Sequence, residues 1–239
     1  MTAAGGREAL SLWLIPWCSA VAASEVELGM SHDTWAHRVV RPVVRRLATT
    51  SVTPNQLTTL RLVTAIAAAL LLATADRGLS ILGGTIFLVS FFLDRADGDL
   101  ARLSGKSSPW GHRFDLCSDY TANILIFVGI GVGLQESALG SSAIALGAVA
   151  GSAIVLIFWL VRFVERVEGA AVFPSAGGFD PDDAMVVIPL SIWLDGEIYI
   201  LVAAAIGAPL FFGWSVWRFR KALGQLSLAL REDRASRNQ

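Results

Sequence analysis

D-R-A-D-G-D-L-A-R-L-S-G-K-S-S-P-W-G-H-R-F-D-L-C-S-D, residues 94–119, is a carboxylate-rich stretch set between segments apolar enough to lie in lipid. Ionisable side chains at the edge of a bilayer are costly, so their clustering points to a functional site. Asp94 and Asp97 are three residues apart, and Gly98, Ala101 and Arg102 continue along the same helical face. Asp115 and Asp119, four apart, share a face one turn separated. Between them Gly105, Pro109 and Gly111 are turn formers that can fold one helix back against the next. The four carboxylates are then expected to face one another at the cytoplasmic edge.

Four carboxylates in one pocket repel one another and take up protons unless a cation sits between them. Oxygen-only ligation, with no histidine or cysteine suitably placed, points to a hard divalent ion, Mg²⁺ or alternatively Mn²⁺. Such ions recruit substrate phosphates as further ligands. Gly98, Ala101 and Gly111 leave room for a bulky substrate, and Arg102 can engage a phosphate in bidentate fashion. The chemistry implied is metal-assisted displacement at phosphorus.

Outward from this stretch the chain reads as an all-α integral membrane protein. Of its 239 residues 54% are hydrophobic and 16% charged, against the greater charge of soluble domains. Six spans are expected, about Gln56 to Thr74, Leu79 to Leu93, Phe114 to Leu134, Ser142 to Val161, Met185 to Leu194 and Ile198 to Trp217. The second continues as helix into the acidic stretch, and the fifth has barely half the usual length. Ser31 to Thr50 precedes them as an amphipathic interfacial helix, with Trp35, Val39, Val43 and Leu47 about one turn apart and Arg38, Arg41, Arg45 and Arg46 beside them. Thr53-Pro54-Asn55 then starts the first span.

Basic residues set the orientation. The inner loops collect Arg95, Arg102, Lys106, Arg113, Arg162 and Arg166, while the outer turns offer only Arg77. Deleting the fifth span would put the basic tail outside, so both termini and the acidic stretch are assigned to the cytoplasmic face, of the inner membrane in a bacterium. These arginines imply an inside membrane surface and no nucleic-acid partner. Residues 1–30 form an amino-terminal extension, expected to be dispensable because Met30 opens a stretch suited to be a native start; 31–219 are the membrane domain and 220–239 a cytoplasmic tail. Gly147 and Gly151 at GxxxG spacing allow close helix contact, within the chain or across a homodimer. In the loop before the fifth span, Asp180 reads as N-cap, Pro181 as first helical residue, and Asp182 and Asp183 as acids on the positive helix end. Cys18 and Cys117 read as reduced, packed thiols.

The acidic stretch resembles the signature of the CDP-alcohol phosphotransferases, D-x2-D-G-x2-A-R-x8-G-x3-D-x3-D. Asp94, Asp97, Gly98, Ala101, Arg102, Gly111, Asp115 and Asp119 match every fixed position. The resemblance implies a six-span enzyme that moves a phosphatidyl or other substituted phosphoryl group from a CDP-alcohol, such as CDP-diacylglycerol, to a hydroxyl with release of CMP. It implies that Asp94, Asp97, Asp115 and Asp119 hold one or two metal ions, that Asp119 is also the catalytic base, and that Gly98, Ala101, Arg102 and Gly111 line the CDP site. Asn55-Gln56-Leu57-Thr58-Thr59-Leu60-Arg61 is similar to the family's first-span opening, which places Asn55 with the nucleotide or metal. Arg61, about one turn inside the membrane, is expected to meet the carboxylates or a substrate phosphate, or to be held in a structural salt bridge. Arg113, with Arg162 and Arg166, is a second candidate for a charged substrate, although positive-inside topology explains all three equally well. Tyr120 stands where family members acting on glycerol phosphate or inositol phosphate often carry a basic residue. The run around His112 is also similar to choline and ethanolamine phosphotransferases, so headgroup transfer to diacylglycerol is the alternative reaction. Outside enzymes, the competing class is a divalent-cation carrier, which should place acids near the bilayer midplane on several spans.

Overall fold

Thr53 ends one helix connection and begins the bundle: its hydroxyl accepts from the Gln56 backbone while the Gln56 side chain accepts from the Thr53 N–H, a reciprocal cap ahead of Pro54. The computed structural model describes residues 34–168, 178, 181–220 and 224, with the backbone alone for 166–168 and 181. The expected extension 1–30, Asp180 and nearly all of the tail 220–239 lie outside the described residues. In chain order the helices are α1 (Trp35–Leu47), α2 (Pro54–Leu72), α3 (Arg77–Ser104), α4 (Pro109–Gly133), α5 (Ser142–Glu168), a 3-10 turn (Pro181–Val186), α6 (Val187–Trp193) and α7 (Glu197–Arg218).

Five of these, α2, α3, α4, α5 and α7, are long and apolar enough to cross a membrane, so the chain is an integral membrane protein. The expected fifth span departs from that pattern. Met185 to Leu194 is the end of the 3-10 turn and the seven-residue α6, about 10 Å of helix and far short of a hydrocarbon core of about 30 Å. The chain on either side of it is nevertheless held at two well-separated points on α3. Arg77, at the start of α3, donates to the Ile192 and Trp193 carbonyls and pairs with Asp195 and Glu197. Arg95, eighteen residues further along α3, pairs with Asp183 at 3.3 Å. Those two arginines are about 27 Å apart along the helix axis.

Small residues decide which helices touch. A Cβ on Gly133 would lie 2.1 Å from the Leu72 carbonyl, and one on Gly147 would lie 2.3 Å from the Phe127 carbonyl. Gly151 likewise abuts Ile124. The GxxxG pair is therefore consumed in packing α5 on α4 within the chain and gives no ground for a dimer. Ala68, Leu72, Phe127, Ile130, Ile192 and Leu201 fill the centre of the bundle.

The first helix forms within the expected stretch, Trp35–Leu47, but with a different inner face. Ala36, His37, Val40 and Val44 are buried, Val40 and Val44 against Leu57, Ala96 and Leu100, whereas Val39 and Val43 are 55% and 58% exposed. Periodicity alone finds an apolar stripe and does not distinguish protein from lipid as its neighbour. Trp35 stacks on Phe91 and meets Phe92 edge-on, fastening α1 to α3.

Candidate active site

The two acidic helix ends meet because the turn between them is built to reverse the chain. Gly105 ends α3 at φ 63°, the left-handed position that a residue without Cβ adopts freely. Ser108 caps α4 by accepting from the Gly111 N–H at 3.0 Å, and Pro109 opens the helix. At 1.5 Å per residue α3 is about 42 Å long, so its charged last turns extend beyond a 30 Å core.

Arg61 of α2 is the point on which the acids converge. Its Nη1 lies 2.9 Å from Asp94 Oδ1 and 3.2 Å from Asp115 Oδ1, and its Nη2 donates to Asp119 Oδ1. The guanidinium side chain is only 5% exposed, so in this low-dielectric setting it offsets acids that would otherwise repel one another strongly. Thr58, one turn earlier, donates from its hydroxyl to Asp97 Oδ2 at 2.7 Å. Ser90 of α3 donates to the Arg61 carbonyl at 3.0 Å, locking α2 and α3 in register.

Asp94, Asp97 and Asp115 each offer one carboxylate oxygen, all within 4.8 Å of one another. Opposite ligands of a Mg²⁺ ion at about 2.1 Å from the metal are about 4.2 Å apart, so three hard oxygens at this spacing fit such an ion with small side-chain adjustments. Asp119 stands beside this group, between Arg61 and Arg162, whose Nη2 is 3.3 Å from Asp119 Oδ2.

The remaining signature positions sit on α3 and at the start of α4. The Arg102 guanidinium lies over Gly98, where an added Cβ would be 3.7 Å from Nη1. A Cβ on Gly111 would be 2.8 Å from Asn55 Oδ1, so a side chain there would displace the asparagine that α2 presents. Ala101 follows on the same helix and is half-buried. Arg113 is not brought to the carboxylates; it makes no ion pair among the described residues, and its Nε is buried without a partner.

A cleft lined by Asp94, Asp119, Phe87, Ala122 and Phe158 opens beside the acids. Its polar wall was not anticipated in full. Arg95 reaches Asp94 Oδ2 at 3.2 Å and Asp183 Oδ1 at 3.3 Å and lies 5.0 Å from the centre of the Phe91 ring. Asp182 and Asp183, explained from sequence as first-turn acids, thus also anchor the 3-10 turn to α3. Asn123 donates to the Asp119 carbonyl at 3.0 Å.

A family model described as CDP-alcohol phosphatidyltransferase matches residues 51–214. The chain belongs to that family. Archaetidylinositol phosphate synthase from Pyrococcus horikoshii is 34% identical over 102 residues, 39% of this chain and 53% of the relative; the chain spans about half the length of that curated relative. The crystal structure of Mycobacterium tuberculosis phosphatidylinositol phosphate synthase, in apo form, superposes with a TM-score of 0.51 at 18% identity, covering 74% of this chain and 95% of that one, which shows a shared fold.

In this family member Arg95 and Arg162 carry only a weak sequence signal. Arg95 occupies an unspecified place inside the signature, and Arg162 is one of several inner-loop cations. What singles them out is the acid each one meets across a helix interface.

Proposed function

We propose that this CDP-alcohol phosphatidyltransferase moves a phosphatidyl group from a CDP-alcohol such as CDP-diacylglycerol to an acceptor hydroxyl, releasing CMP. The observation that carries this is the convergence of Asp94, Asp115 and Asp119 on the buried Arg61, with Asp97 held beside them by Thr58. Asp94, Asp97 and Asp115 would hold Mg²⁺, with Mn²⁺ as the alternative, and Asp119 would contribute to a second ion where two are bound. The metal supplies charge stabilisation for the diphosphate oxygens. Asn55, Gly98, Ala101, Arg102 and Gly111 receive the CDP moiety. The acceptor enters the cleft beside the acids, its charged groups meeting Arg95 and Arg162. Asp119 takes the acceptor proton as the new oxygen–phosphorus bond forms and the bond to CMP breaks, with CMP leaving as the anion.

We further propose that the chain makes six passages, the fifth being the Pro181–Trp193 segment stretched between Arg95 and Arg77. That count leaves α1 and the carboxyl terminus on one side with the site, the cytoplasmic side by the arginine bias. Both relatives are named for inositol phosphate products, while Tyr120 stands where members using that acceptor often carry a basic residue, so phosphorylated and unphosphorylated alcohols are set against each other as acceptors. CMP release from CDP-diacylglycerol with Mg²⁺, scored over a panel headed by inositol phosphate and with the lipid product separated, tests both points. Full turnover in Asp97→Asn and Asp119→Asn would show that the site is misassigned. Metal flux into liposomes without nucleotide would instead favour the carrier.

A further inference from the structure

Asp99 lies inside the signature at a place the pattern leaves unspecified, yet it is one of the most buried acids in the chain, 6% exposed. A carboxylate so enclosed needs partners, because burying it unpaired costs several kcal/mol. Two face it. Arg102 Nη2 donates to Asp99 Oδ1 at 2.5 Å, and His37 Nδ1 of α1 lies 3.1 Å from the same oxygen. His37 is itself 8% exposed, on the α1 face that Val40 and Val44 bury against Ala96 and Leu100.

The consequence falls on Arg102. Its side chain is 38% exposed, held along one edge by Asp99, with Nε and Nη1 making no hydrogen bond among the described residues. The guanidinium is laid back over Gly98. A long side chain at a helix end would otherwise sample many rotamers, and fixing it in advance removes an entropy loss from ligand binding. We propose that His37 and Asp99 are positioning residues for the nucleotide diphosphate, holding Arg102 over Gly98 with its free donors turned to the ligand. The first helix is on this account a structural part of the nucleotide site as well as a membrane-surface element. The inference rests on the functional reading above, which assigns Arg102 to CDP.

The experiment measures CDP affinity for the full chain in detergent with Mg²⁺ by calorimetry, so no acceptor need be known. Expected are a loss of about tenfold in Asp99→Asn and in His37→Leu, the scale of one charge-assisted hydrogen bond. His37→Asn, whose amide N–H can stand near the Nδ1 position, should recover most of that loss, whereas a purely structural role would leave it as damaged as His37→Leu. Neither His37→Leu nor Asp99→Asn should weaken CDP further in an Arg102→Ala background. Unchanged or tightened CDP binding in Asp99→Asn overturns the inference, tightening because Asp99 would then be competing with the ligand. Equal losses with and without Arg102 also overturn it. If the unaltered chain fails to bind CDP, or Arg102→Ala binds it normally, the functional reading fails first and takes this inference with it.

Discussion

Replacing Arg61 by leucine separates the charge-balancing role of this residue from its part in packing. The side chain meets Asp94 and Asp115 at 2.9 and 3.2 Å and also donates to Asp119. Removing one member of a buried ion pair costs about 3–5 kcal/mol. Here Asp94 keeps Arg95 and Asp119 keeps Arg162, so Asp115 bears most of the loss. The lower end, about 3 kcal/mol, is therefore expected. For a chain of this size that is a fall in Tm of about 6–12 °C in metal-free buffer. Arg61 and a divalent cation would compete for the carboxylates of Asp94 and Asp115, so Mg²⁺ should raise the Tm of Arg61→Leu by more than that of the unaltered chain. At a hundredfold excess over Kd the metal contributes about 2.7 kcal/mol, enough to recover most of the loss. Differential scanning fluorimetry in detergent, with and without Mg²⁺, reads both shifts. Equal Mg²⁺-induced shifts in the two proteins would refute the reasoning, because Arg61 would then not share its acids with the metal.

Two signature glycines should fail in different ways. Gly111→Ala pushes a Cβ to 2.8 Å from Asn55 Oδ1 and 3.0 Å from Ser108 Oγ, so both Tm and CDP affinity should fall. Gly98→Ala has nothing nearer than 3.7 Å, so Tm should hold while the KM for the CDP-alcohol rises. Gly133→Ala, far from the site, meets the Leu72 carbonyl at 2.1 Å and should lose about 1–3 kcal/mol of stability, seen as a lower Tm, while the protein that remains folded keeps its kcat. Arg77→Ala frees the Ile192 and Trp193 carbonyls together with Asp195 and Glu197. Proteolysis or hydrogen exchange should show α6 opening first, and the cleft wall at Met185 should loosen with it.

The helix-forming logic was legible almost to the residue in places. Thr53 and Pro54 open α2, and Gly105 and Pro109 turn α3 into α4, because caps and turn formers act on their own backbone neighbours; the Ser108 cap came only with the structure. The inward face of α1 was not legible: Val39 and Val43 look as core-like in sequence as Val40 and Val44 do, since lipid and protein interior select for the same apolar side chains. The segment expected as a fifth span was hard to read for a related reason. A segment too short to cross as regular helix gives a weak hydropathy signal, and its placement depends on two arginines elsewhere, Arg77 and Arg95.

By itself the sequence determined that four carboxylates at i, i+3 and i, i+4 spacing would line two helix faces, and that a glycine and proline turn would bring those faces together. Such spacing is a property of one helix at a time. Only the tertiary structure decided that Arg61 would stand among the acids, that Arg162 would take the far oxygen of Asp119, that Arg95 would bind Asp183, and that His37 would reach Asp99. An arginine at a helix surface has several acids within reach of its long side chain. Which one it meets is settled by the close approach of helices, at contacts such as Gly133 on Leu72 and Gly147 on Phe127, that no local pattern specifies.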